Sequence, residues 1–339
     1  MGAASKPLVS RRVKVAGLGK YLPERVIASA ALEAELGLEP GWVERVTGVR
    51  ERRRKGPDET QASMGAQAVL AALADAGCSL DDVDLIVCGS GLSQQAIPCT
   101  AVLLQQALGL AARGVPCFDV NSTCLSFVHA LDVVGDLVAR GSYRCAVVVS
   151  TEATSVGLNW SEHESAVLFG DGAAAAVLVP TPEGEPSLLF EGCFTTDSRG
   201  AALAEVKGCG TAWPPSDPAT PREYALFHMQ GTRIFRHAMK QSVGFFTEYS
   251  TRLPFALEAF AALCPHQASL VAMRLTARAC GFRQDQLVEN IETHGNCVSA
   301  SIPMVLHDGV RGGRIRRGDR VLLAGTAAGL SVGALAMVY

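Results

Sequence analysis

The sequence predicts a large α/β protein built from two similarly ordered halves. Three features predict it: apolar strands without polar alternation, helical periodicity between them, and the same order of elements in each half of the chain. In the first half, VKVAG at 13–17, DLIVCGSG at 84–91, VPCFDV at 115–120, CAVVVSTE at 145–152 and AAAAVLVP at 173–180 read as strands. Helices are expected from Gln61 to about Gly77, near 100–109, and from about Cys124 to Arg140. Strands this uniformly apolar argue for a largely parallel sheet covered on both faces. After a looser stretch at 181–222, rich in Pro, Gly and Ser, the plan repeats. A helix is expected at roughly 229–250, a strand within AFAALCPHQAS, a helix at 270–280, another at about 298–310, and closing strands in VLLAGTAAGL and GALAMVY. The halves divide at 1–180 and 181–339. Each has a polar turn between strand and apolar helix, VNSTC at 120–124 and HGNCVS at 294–299. The duplication is therefore expected in the order of elements, not in residue identity.

Composition narrows the function. Of 339 residues, 48% are hydrophobic and 19% charged, enough apolar material for a sizeable core. Basic and acidic residues number 30 and 33, so the excess of positive charge that a general nucleic-acid binder needs is missing. The opening MGAASKPLVSRR lacks the apolar centre of a signal peptide, and no apolar run is long enough to span a bilayer. The 11 cysteines include no C-x-x-C pair, which argues for reduced thiols and against disulfides or structural zinc. A cytoplasmic protein without metal is expected.

Three residues carry the chemistry. Cys124 follows a buried strand and opens a helix, where unpaired N–H groups and the positive dipole end favour thiolate. That is what a nucleophile for thioester exchange needs. His266 sits after Pro265 at a strand end, and Asn296 sits in a turn where Gly295 permits close backbone approach. Each signal is weak alone. Together they are expected to converge across a cleft between the halves.

Seven segments carry a resemblance that covers about Arg12 to Tyr339. They are VAGLGKYLPERV at 15–26, WVERVTGVRERR at 42–53, DVNSTCLSF at 119–127, LFGDGAAAAVL at 168–178, HQAS at 266–269, GNCVSASIP at 295–303 and AGTAAGL at 324–330. In these the chain resembles the ketoacyl-acyl-carrier-protein synthase III group of the thiolase superfamily. The resemblance implies a thiolase fold, a duplicated α-β-α-β-α arrangement in five layers, and a homodimer. It implies that Cys124 takes an acyl group from a thioester, with the oxyanion held by backbone N–H groups of Cys124 and Ala328. His266 and Asn296 would then bind the carbonyl of a malonyl-type thioester whose decarboxylation yields the attacking carbanion. No cofactor is implied beyond acyl-CoA and acyl-carrier-protein thioesters.

The same resemblance implies contacts for the substrate at Trp42, Thr47, Phe235 and Ala268, with Ile97 capping the partner's acyl pocket. Arg236 and Arg278 match basic positions that dock the carrier protein, while Val271 replaces the principal docking Arg. Val46 and His163 also stand where Arg is usual, which should weaken coenzyme A binding. Gly17-Leu18-Gly19 lacks the third glycine of a dinucleotide loop, so hydride transfer is disfavoured. Thr326 in GTAAG stands where a thiolase needs a second cysteine. Type III polyketide synthases are longer and carry a Pro in that loop. Head-to-head condensation of acyl-CoAs, acyl transfer to oxygen or nitrogen, and a non-catalytic partner subunit remain as alternatives.

Overall fold

A computed structural model describes residues 6–339; the first five residues of the opening segment lie outside it. The first sheet contains β1 (Val13–Tyr21), β2 (Leu85–Cys88), β3 (Cys117–Asp119), β4 (Ala146–Glu152) and β5 (Gly172–Pro180), in the spatial order β1-β5-β4-β2-β3. The second contains β6 (Leu188–Phe190), β7 (Cys193–Thr196), β8 (Ala262–Pro265), β9 (Arg320–Ala327) and β10 (Ser331–Val338). Both β6 and β7 pair with β10, which pairs with β9 and then β8. Leu287 bridges Leu263 of β8 on its far side, in the place that β3 takes beside β2. The short strand Ser10–Arg11 joins the second sheet through β6.

Neither sheet is largely parallel, contrary to the sequence expectation. In each, the strand farthest along the chain, β5 or β10, runs antiparallel to all its neighbours, and only β2-β3, β2-β4 and β8-β9 are parallel. The expectation failed because β5 is buried on both faces: an alanine run packed between two layers carries no alternation that could mark its direction.

Successive residues along the strands face opposite layers. Leu85 and Val87 face inward with helices α2 (Ser126–Ala139) and α5 (Ser301–Arg311), while Ile86 and Cys88 face outward to α1 (Gln61–Ala76). In the second sheet Ala262 and Cys264 face inward, and Leu263 faces α3 (Gly231–Arg252) and α4 (Leu270–Ala279). The layers are therefore α1, sheet, α2 with α5, sheet, and α3 with α4. The two middle helices bury their apolar faces in one cluster shared by both sheets. Lys20 of β1 ties the halves electrostatically, its ammonium 2.5 Å from Asp308 of α5 and 3.0 Å from His294.

Gly17 and Gly19 lie in β1 beneath α1, not in a phosphate loop. A Cβ on Gly19 would overlap the carbonyl oxygen of Ala68 and the amide of Ala72. Gly19→Ala should therefore cost about 1–3 kcal/mol through forced displacement of α1. Denaturant unfolding checks this; an unchanged midpoint would contradict the close approach.

Candidate active site

The duplication reaches individual hydrogen bonds. Thr123 adopts φ 49° and Val298 φ 45°, a left-handed conformation that β-branched residues rarely take. An asparagine two residues earlier braces each: Asn121 Oδ1 accepts from the Thr123 amide at 3.0 Å, and Asn296 Oδ1 accepts from the Val298 amide at 2.9 Å. A serine three residues later closes each turn, Ser126 donating to the Thr123 carbonyl at 2.6 Å and Ser301 to the Val298 carbonyl at 2.7 Å. Each turn runs through a 3₁₀ segment, Thr123–Leu125 and Val298–Ala300, into α2 or α5. Cys124 and Ser299 thus occupy equivalent positions. The expectation that only the order of elements repeats was too weak.

The two turns face one another. The Ser299 hydroxyl donates to the Gly89 carbonyl and accepts from the Phe127 amide, both at 2.8 Å, bridging the first half to the second. Glycine makes the contact possible: a Cβ on Gly91 would fall 2.7 Å from Val298, and one on Gly325 would fall 2.8 Å from the Cβ of His266. The 3₁₀ turn of Cys124 also packs on β9, and the backbone N–H groups of Ala328 and of Cys124 itself point at the sulfur.

Burial and the charge of Glu152 nevertheless push the Cys124 thiol up to about 12, against those two N–H groups. The resting sulfur is a thiol. The helix-end effect is weaker than the sequence suggests, because α2 starts only at Ser126. Glu152, itself pushed up to about 8 by burial, accepts from the Gly91 amide at 2.6 Å and the Leu92 amide at 3.1 Å. It anchors the loop beside Cys124. A carboxylate ending an otherwise apolar strand was the sequence signal for it, and it went unread.

His266 ends β8, with its amide donating to the Ala324 carbonyl of β9 at 2.8 Å. Burial holds its imidazole down at about 4, opposed by the Val298 carbonyl, so the ring is neutral at pH 7. Its Nδ1 lies 2.7 Å from the Ser301 hydroxyl oxygen. The single Ser301 hydrogen serves either Val298 or Nδ1. In the first case Nδ1 carries the ring proton and Nε2 is a bare acceptor; in the second, Nε2–H is a donor.

His266 and Asn296 line a cleft of about 450 Å³, together with Thr47, Phe235 and Ala268. With its Oδ1 engaged by the backbone, Asn296 has its amide N–H₂ left to donate. Trp42, half-buried at the start of a short helix, is not part of this lining. Ile97 lies elsewhere, 85% exposed on the loop after β2. Arg236 and Arg278 are exposed on α3 and α4, whereas Arg274 is held bidentately by Glu289. No group of three His, Cys, Asp or Glu side chains among the described residues is placed to hold a metal ion.

Two duplicated sheets enclosing two helices, with paired strained turns at their junction, define a thiolase-type fold. Residues 118–197 match the family model for 3-oxoacyl-[acyl-carrier-protein] synthase III, and residues 252–339 match the model for its C-terminal part. The β-ketoacyl-[acyl-carrier-protein] synthase III of Symbiobacterium thermophilum is 32% identical over 96% of this chain and 98% of its own length. That of Acidiphilium cryptum is 34% identical over 95% and 98%. The crystal structure of 3-oxoacyl-(acyl carrier protein) synthase III from Pseudomonas aeruginosa superimposes with a TM-score of 0.88 at 31% identity, covering 97% of this chain and 98% of that one. The chain belongs to the 3-oxoacyl-[acyl-carrier-protein] synthase III family.

A thiol held near 12 sets the pH dependence of its reactivity. Alkylation of Cys124 by iodoacetamide, read on its own peptide by mass spectrometry, should accelerate about tenfold per pH unit between about 7 and 9. A plateau near neutral pH would show a resting thiolate instead.

Proposed function

We propose that this protein is an acyltransferase that joins an acyl group carried on Cys124 to a malonyl-type thioester by decarboxylative condensation. One observation carries the reading: the Cys124 turn abuts a second turn that presents Asn296 beside His266, at the end of a cleft open to solvent. In the first half-reaction the Cys124 sulfur attacks a thioester carbonyl. The N–H groups of Cys124 and Ala328, which in the resting site point at the sulfur, stabilise the oxyanion. The thiol loses its proton on attack, and a bare His266 Nε2 is the acceptor that the Nδ1–H tautomer provides.

In the second half-reaction, the Ser301 hydrogen turned to Nδ1 makes Nε2–H a donor. With the Asn296 amide it grips the carbonyl of the malonyl-type thioester. The C–CO₂⁻ bond breaks, the charge gathers on that carbonyl oxygen, and the new C–C bond expels Cys124 as leaving group. A ring that stays neutral down to pH of about 4 suits this role, since an imidazolium would retain the departing carboxylate.

Thr47, Phe235 and Ala268 flank the pantetheine arm of the thioester, and Trp42 belongs to the outer rim of the same approach. Ile97 closes the acyl pocket of a second copy in a homodimer, and Arg236 and Arg278 receive an acidic acyl carrier protein. Residues 1–180 carry the nucleophile and 181–339 the carbonyl-binding pair. Acyl-CoA and carrier-bound thioesters are the substrates, with no further cofactor.

Incubation with acyl-CoA should add the acyl mass to Cys124, and malonyl-carrier protein should then release CO₂. Cys124→Ala should abolish the adduct. Asn296→Ala should keep it while lowering CO₂ release about 10²–10³-fold, and His266→Ala should slow adduct formation as well as CO₂ release. An intact adduct with unchanged CO₂ release in both variants would refute the assignment.

A further inference from the structure

Glu152, the last residue of β4, is fully buried, and no Lys, Arg or His pairs with it among the described residues. A carboxyl is expensive to bury unless donors meet its oxygens. Here backbone N–H groups from both halves meet them. Gly91 donates to Oε1 at 2.6 Å and Leu92 to Oε2 at 3.1 Å, and the Ser299 N–H points at the same carboxyl from the second half. Gly91 lies between the two strained residues: a Cβ there would fall 2.7 Å from the Val298 side chain and 3.3 Å from the Thr123 carbonyl. The Gly91 carbonyl accepts from Asn121 Nδ2 at 3.2 Å, and Asn121 Oδ1 accepts from the Thr123 amide. A continuous path therefore runs from Glu152 through Gly91 and Asn121 to the turn that carries Cys124. The ionisable groups that share the charge field of Glu152 are Asp171, Cys88, Cys124 and Cys297. Glu152 is not part of the cleft lining.

We infer that Glu152 is a positioning residue: its carboxyl clamps the loop at 91–92 between the two turns and keeps the N–H groups of Cys124 and Ala328 aimed at the reacting centre. The assignment rests on the function proposed above. A glutamine offers a single acceptor oxygen, and its NH₂ would face the N–H of Gly91 or Leu92. An aspartate keeps both oxygens and the charge, but with a shorter side chain it cannot meet both amides from the end of β4. The charge has an effect of its own. It opposes ionisation of the Cys124 thiol, so removing it should make the sulfur easier to ionise. Geometry and charge thus act in opposite senses, on two different measurements.

The test compares wild type, Glu152→Gln and Glu152→Asp, each checked for folding by circular dichroism. In single-turnover acylation of Cys124 by acyl-CoA, both variants should lose at least tenfold in limiting rate, roughly the loss of one aligned donor or less. The half-saturating concentration should stay within about threefold of wild type. Iodoacetamide alkylation at pH about 9 needs no oxyanion hole. There Glu152→Gln should react about threefold faster than wild type, and Glu152→Asp no faster. Three outcomes overturn the assignment: wild-type limiting rates in both folded variants, a loss confined to half-saturation, or alkylation accelerated equally in both, which marks a generally loosened fold. If neither variant folds, amide exchange on the wild type decides. Gly91 and Leu92 should be protected about a hundredfold or more, and free exchange there overturns the clamp. A wild type that no acyl-CoA acylates overturns the condensing reading, while the alkylation contrast and the amide protection still decide the clamp.

Discussion

Two residues in left-handed backbone, Thr123 and Val298, lie on facing turns where the halves meet, and much of the site follows from that strain. Each costs on the order of 1–3 kcal/mol and persists only where its surroundings over-determine it. Here the surroundings are an asparagine oxygen on one side and a serine hydroxyl on the other, repeated in both halves. The strain turns the chain sharply from strand to helix. It sets Cys124 against the β9 backbone and puts Asn296 beside His266. Relaxing either turn would swing a helix that fills the layer between the sheets.

The electrostatics of the site are those of an enclosed space. Burial raises the Cys124 thiol and the Glu152 carboxyl and lowers the His266 imidazole, so all three are pushed toward their neutral forms. A neutral resting site matches chemistry in which charge appears only as bonds change. The backbone N–H groups aimed at the sulfur favour negative charge there and are already in place.

Much of this was legible in the sequence, for definite reasons. Strands such as LIVC at 85–88 and helices such as Gln61–Ala76 declare themselves by local periodicity, and the polar turns stand out against apolar flanks. Cys124 and His266 drew notice at the ends of apolar runs, and Asn296 in a polar turn beside Gly295. Strand direction in β5 was not legible, since four buried alanines look the same from either end. Glu152 and Ser301 act through partners distant in sequence, Gly91 for one and His266 for the other. The cleft needs residues 231–246 and 268–280 to lie side by side, which no local pattern records.

Ser299 holds in the second half the place that Cys124 holds in the first, yet its hydroxyl is spent as a strut between Gly89 and Phe127. A doubled scaffold thereby supports unequal labour. One copy of the elbow carries a thiol, while the other is locked as a rigid strut three residues past Asn296. A cysteine at 299 would remove the brace between Gly89 and Phe127 without reproducing the setting of Cys124.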